Sequence, residues 1–174
     1  MGKFSYILLF LPFIISCKEE SVERGKMEVY EGPVRRAENL DMYYSEESLK
    51  KAKLSAGVLL EFKNGDREFP DGIYVEFFDE NGEKSSTLKG NYAYFTKADN
   101  LWKATGDVEV QSLTEDQQLN SEELFWKPDK ELIYTDKFVI IRLQNKLIHG
   151  NGLESNQDFT DYSIKNPVGD IQLQ

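Results

Sequence analysis

The chain has 174 residues, 31 acidic against 21 basic, and a formal net charge of −10 with its single histidine neutral. So acidic a surface excludes nucleic-acid binding, which depends on Lys and Arg neutralising phosphates, and it leaves apolar contact as the means of holding an anionic lipid. One cysteine excludes an internal disulfide.

The chain opens with one cation, Lys3, before an apolar run from Tyr6 to Ile15 that ends at Ile14-Ile15-Ser16-Cys17. The run is shorter than the roughly 20 residues of a membrane span and fits the apolar region of a secretory signal. A small residue followed by the only cysteine is the layout of a bacterial lipoprotein signal. Residues 1–16 are therefore expected to be removed, with Cys17 acylated as the lipid attachment site. Two or three acyl chains hold a protein on a membrane far longer than one. No second apolar run of membrane length follows. Residues 17–38 read as the lipidated N-terminus and a flexible tether, because Lys18-Glu-Glu-Ser-Val-Glu-Arg-Gly-Lys26 is polar throughout. Residues 39–174 read as one β domain.

From about Asn39 onward, short runs rich in Val, Ile, Tyr, Phe and Thr alternate with turn signals: Asn64-Gly65, Asp71-Gly72, Asn81-Gly82, Gly106-Asp107 and Pro128-Asp129. A dozen or more short strands are expected, with at most one helical turn, over Ser45–Lys53. Leu54, Ala56, Val58, Leu60 and Phe62 share one parity, as do Ile73, Val75 and Phe77, and Val108 with Val110. Phe138–Leu143 is apolar on both parities apart from Arg142, the mark of a strand inside a sheet.

A short pattern recurs: apolar, any, small, any, any, apolar. It occurs as Leu54-x-Ala56-x-x-Leu59, Leu88-x-Gly90-x-x-Ala93, Leu119-x-Ser121-x-x-Leu124 and Ile148-x-Gly150-x-x-Leu153. The copies are spaced roughly thirty residues apart, two or three strands each. First and third positions share a strand face, but the sixth has the opposite parity. All three can face a core only across a β-bulge, which bends and twists the strand. Repeated bulges imply a strongly curved, stacked sheet.

The chemistry of catalysis is missing from the sequence. His149 has no second histidine or free thiol to work with. Asp79-x-Asn-Gly lacks the remaining ligands of a calcium loop. No phosphate loop and no serine nucleophile elbow occurs. No enzyme, metal or cofactor is expected.

Taken in order, Phe69-Pro-Asp-Gly-Ile-Tyr-Val-Glu-Phe-Phe78, Leu88-x-Gly90-x-x-Ala93-x-Phe95, Trp102-x-Ala104-x-Gly106-Asp107-Val108, Leu119-x-Ser121-Glu-x-Leu-x-Trp126, Ile133-Tyr-Thr-Asp136 and Ile148-x-Gly150-x-Gly152-Leu-Glu154 resemble the LptC family over about residues 35–170. The resemblance implies a twisted, open β-jellyroll of two antiparallel sheets. It also implies a role on the periplasmic face of the inner membrane. There the jellyroll would receive lipopolysaccharide from the subunits of an export ABC transporter and pass it to a periplasmic bridge protein of the same fold. Many members carry an N-terminal membrane helix, whereas this chain has the lipid signal at Cys17. Lys18-Glu19-Glu20 also resembles a charge signature of lipoproteins sent to the outer membrane or cell surface, so a surface β-sandwich acting as adhesin or scaffold is the alternative.

Aromatic residues make up 13% of the chain. Most fill a β core by default. In an open jellyroll, part of that interior stays accessible, and a groove lined by Leu60, Val75, Phe77, Tyr94, Val108, Val110, Leu124, Trp126, Val139 and Ile141 could hold acyl chains. The sheet edges, expected near Leu40–Tyr44 and Asp161–Lys165, offer unpaired backbone for strand addition. By the resemblance, the first faces the transporter and the second the bridge protein.

Overall fold

A computed structural model describes residues 30–168; the signal, Cys17 and the tether up to residue 29 lie outside them. The description concerns the unit beginning at Glu31.

Eleven strands follow one another among the described residues: β1 (Arg35–Glu46), β2 (Leu49–Glu61), β3 (Arg67–Phe69), β4 (Ile73–Phe78), β5 (Lys84–Gly90), β6 (Tyr92–Thr96), β7 (Leu101–Ser112), β8 (Gln117–Lys127), β9 (Leu132–Leu143), β10 (Lys146–Asn156) and β11 (Tyr162–Val168). They are fewer and longer than expected. β1 starts before Asn39, because Arg35, Arg36 and Glu38 belong to a solvent-facing edge strand without apolar alternation. Ser45–Lys53 forms no helical turn. Glu47 and Ser48, with φ of 49° and 68°, make the two-residue turn between β1 and β2.

All pairings are antiparallel. β3 and β4 are two halves of one kinked strand: both pair with β2, and they meet β6 and β5 respectively. β5 and β6 likewise both pair with β7. β7 to β11 then continue as a simple meander. Among the described residues β1 pairs only with β2 and β11 only with β10, so these two are the edges. Phe138–Leu143 lies inside the sheet, in β9 between β8 and β10.

The sheet folds along one transverse crease, and the recurring pattern marks it. Strands that carry the pattern cross in three residues: Ala56 to Leu59, Gly90 to Ala93, Ser121 to Leu124 and Gly150 to Leu153. Their neighbours cross in four: Phe69 to Ile73, Ala104 to Val108 and Thr135 to Val139. Each internal pairing therefore slips by one residue at the crease, as between Thr105/Val108, Ser121/Phe125 and Asn151/Leu153. A three-residue crossing reverses parity and a four-residue crossing keeps it, so both halves of every strand turn apolar side chains to the same interior. One repeat is thus one pair of strands. Gly106-Asp107, read as a turn in the sequence, lies here inside β7, with φ of 75° and 47°.

The third position is small because the crease is crowded. A Cβ on Gly90 would approach that of Ala104 at 3.3 Å, and one on Gly150 would lie 2.3 Å from Ile164 Cγ2. Ser121 fits by donating its hydroxyl to the Phe138 carbonyl at 3.0 Å.

On one side of the crease, Leu54, Val75, Leu88, Val110, Leu119, Ile141 and Ile148 stand directly opposite one another on successive strands, one apolar ladder. The other side contributes Phe69, Ala93, Ala104, Leu124, Trp126 and Ile133 to the same core. The halves meet face to face: the Phe77 and Trp126 rings pack edge-on at 5.1 Å, Lys51 pairs with Glu131 at 3.1 Å, and Ser86 Oγ donates to the Gln157 carbonyl at 2.6 Å.

Asp66 anchors the turn after β2. Its buried carboxylate accepts from the Lys97 backbone N–H at 2.9 Å, from Asn64 Nδ2 at 2.7 Å and from the Tyr94 hydroxyl at 3.1 Å. These bonds, the Lys97 amide foremost, hold its pKa below the usual value. A depressed carboxylate pKa stabilises the fold above the unfolded value of about 3.9 and loses that contribution as pH falls through the folded value. Asp66→Ala is expected to destabilise the domain by about 1–2 kcal/mol at neutral pH, with a smaller difference from wild type below about pH 3. Urea melts at both pH values check this; an equal deficit at both would refute it.

Candidate functional site: the interlayer mouth and the free edges

The structure brings eight of the ten candidate groove residues together. Val75, Val110 and Ile141 sit on the apolar ladder, Val108 and Val139 lie next to it along the strands, Phe77 faces Trp126 of the opposite layer, and Leu124 belongs to the same core. All eight are buried. Leu60 and Tyr94 lie elsewhere. Leu60 registers opposite Glu68, and Glu68 opposite Tyr94, on the outer face of the sheet. The parity of Leu60 was carried through the crease from Leu54 and Ala56, and the three-residue crossing reverses it.

Between the layers the side chains fill nearly all the space. Trp102 and Trp126 are the chief fillers, their centroids 6.0 Å apart, with Phe95 and Phe69 at 4.7 and 5.5 Å from Trp102. A void of about 10 Å³ remains beneath Trp102 and Trp126. A larger cavity, about 130 Å³, lies beside β1 and β2, bounded by Met42, Tyr44, Leu54, Arg67, Trp102 and Trp126. That is space for a few waters at about 30 Å³ each. Among the described residues, the apolar interior is accessible at this mouth.

Two residues that border the mouth each carry a buried donor without an acceptor. Trp126 Nε1 and Arg67 Nε are buried without a hydrogen-bond partner. Arg67 lies 5.6 Å from the centroid of the Phe95 ring, and no carboxylate pairs with it among the described residues. Sequence could flag the aromatics but not these orphaned donors, which depend on what tertiary packing brings near them.

Among the described residues no strand covers the outer side of either edge. β1 and β11 are exposed along most of their length. β11 runs one hydrogen-bonded row from Tyr162 to Val168, with Pro167 near its end, where a missing N–H costs the ladder little.

Elsewhere the polar clusters are used up structurally. Asp79 Oδ1 accepts from the Asn81 and Glu83 backbone N–H groups, each at 2.9 Å, so the calcium-like sequence is a turn. His149 stacks on Phe138 at 6.0 Å, partly covered. No group of His, Cys, Asp or Glu among the described residues is arranged to hold a metal, and no described helix is long and apolar enough to cross a membrane.

The family model described as Lipopolysaccharide-assembly, LptC-related matches residues 14–168, nearly the whole chain. The chain belongs to the LptC family. Members are components of lipopolysaccharide transport, associated with the periplasmic side of the inner membrane, and are not enzymes. The match spans every described strand. Among curated proteins none matches the chain.

Proposed function

We propose that this LptC-family chain is a membrane-tethered periplasmic component of lipopolysaccharide export that holds acyl chains between its two layers, entering at the mouth beside β1. The family assignment over residues 14–168 carries the reading. Val75, Phe77, Val108, Val110, Leu124, Trp126, Val139 and Ile141 supply the apolar contacts once the layers part, each buried Å² of apolar surface contributing about 25 cal/mol. Cys17 is the lipid attachment site. The β1 edge docks on the transporter subunits and the β11 edge on the periplasmic bridge protein, by strand addition. The mouth lies on the β1 side, so lipid would enter near the transporter and leave toward β11.

The test is a photo-crosslinking side chain at Val75 in cells, with and without Cys17→Ser. The expected result is a lipopolysaccharide adduct in the Cys17 chain, which sediments with membranes, and release of the Cys17→Ser chain to the soluble fraction. No adduct at Val75 or at any other interior position refutes acyl-chain handling. A Cys17→Ser chain that stays on the membrane refutes the anchor.

A further inference from the structure

The acidic character of the chain stops at its last three strands. No Asp or Glu occurs between Asp136 and Glu154, and none in β11 (Tyr162–Val168). The outer face of the sheet changes there. Over β1 to β7 its lysines are neutralised: Lys53 pairs with Asp41 at 3.0 Å, Lys89 with Glu109 at 3.0 Å, and Lys84 with Glu76. Exposed pairs of this kind belong to a solvated surface. Over β9 and β10, Lys137, Arg142 and Lys146 are exposed. None of the three has a carboxylate partner among the described residues.

The register sets these cations among apolar side chains. Ile140, His149 and Val168 stand opposite one another on β9, β10 and β11, and Arg142 stands opposite Leu147 in the next row. Phe138 lies on the other side of Ile140, opposite Asn151. Phe138 is 48% exposed, Leu147 53% and Val168 56%. Exposed apolar groups gathered on one face mark a surface that binds something.

We propose that the outer face of β9–β11 docks on an anionic phospholipid bilayer. Arg142, flanked by Lys137 and Lys146, meets the headgroup phosphates, and Phe138 and Leu147 enter the boundary between headgroups and acyl chains. Two arguments favour a bilayer over an acidic protein. Protein interfaces keep charged residues out of their centres, whereas Arg142 is directly opposite Leu147. At a bilayer surface, cations and apolar tips find their partners at nearly the same depth. Reach is the second argument. With Cys17 acylated as proposed above, residues 17–34 can span no more than about 60 Å, so the face stays close to the membrane. The acidic remainder of the molecule opposes docking little, because exposed charges are screened beyond about 8 Å at physiological salt. The contact is weak by itself, and stable attachment takes a second signal. A chain lacking its anchor therefore still leaves cell membranes on a salt wash.

The experiment mixes the unanchored Cys17→Ser chain at low salt with phosphatidylcholine vesicles, with and without phosphatidylglycerol, and measures binding by flotation. Binding is expected on the anionic vesicles alone and should fall as salt rises. Arg142→Gln with Lys146→Gln should bind about ten- to thirtyfold more weakly, about fivefold for each cation near an anionic surface. Leu147→Ser should lose about fivefold. Lys97→Gln with Lys130→Gln removes the same charge from exposed positions elsewhere and should bind as the parent chain does. A chain that floats with neither vesicle at low salt overturns the proposal and leaves the face to an acidic protein. Equal losses from the two pairs of cations overturn it as well, since they would report net charge alone. Neither outcome touches the anchor, which membrane release of the Cys17→Ser chain tests separately.

Discussion

Phe77→Ala is expected to destabilise the domain by about 3–5 kcal/mol, the cost of deleting a buried aromatic side chain and leaving a cavity. Phe77 has no exposed surface, and its ring lies edge-on to Trp126 of the facing layer at 5.1 Å. It bridges the two halves, so its loss removes interlayer contact as well as area. Domains of this size are stable by about 5–15 kcal/mol in total. Urea denaturation measures the effect through the midpoint at constant slope. A loss under 1 kcal/mol would mean that the layers are not held together by this contact. Phe77→Leu separates aromatic packing from volume: it should recover more than half of the deficit.

Gly72→Ala is expected to cost about 3 kcal/mol or more, although it adds a single methyl group. Gly72 has φ of +84°, a region where an L side chain costs about 1–2 kcal/mol. Its new Cβ would also lie 2.4 Å from the Gly90 carbonyl oxygen and 3.2 Å from the Asn91 backbone. Backbone atoms cannot swing aside as a side chain does, so a further strain of about 1–3 kcal/mol follows. The affected segments are the four-residue crossing of one strand and the three-residue crossing of its neighbour, where the crease closes. Gly82→Ala is the control: φ is +80°, but no atom lies within 4 Å of the added group, so only the conformational cost applies. Thermal melts of both should separate the two contributions. Equal losses would show that the contact between the crossings carries no strain.

The spacing of Leu119, Ser121 and Leu124 already contained the crease, because an apolar residue of the wrong parity has to be explained by an inserted step. Parity carried across the crossing misplaced Leu60. Parity propagates along a strand only until a crossing, and nothing local in Gly57 or Asn91 says how many residues the crossing takes; that number is set against the neighbouring strand. Gly106-Asp107 reads as a hairpin turn for a related reason. Positive φ is required both by tight turns and by bulges, so Gly-Asp signals the dihedral and not the element. Glu47-Ser48 shows the converse, a tight turn made by residues that carry no turn signal. Val108 and Val110 were placed inside from alternation alone, since both lie within one side of the crease. The state of the interior was not legible. Whether Trp102 and Trp126 fill the space between layers or line an open trough depends on rotamers chosen by residues from five other strands.

The alternation of three- and four-residue crossings has an evolutionary corollary. Inserting or deleting one amino acid mid-strand would invert every side chain from there to the strand end, exchanging core for surface, so length variation among descendants should collect at hairpin tips such as Asn81-Gly82, while mid-strand lengths stay fixed. A gain of one whole unit, two strands with one crossing of each kind, preserves the phase, so sheets of this construction can grow by duplication but not by single steps.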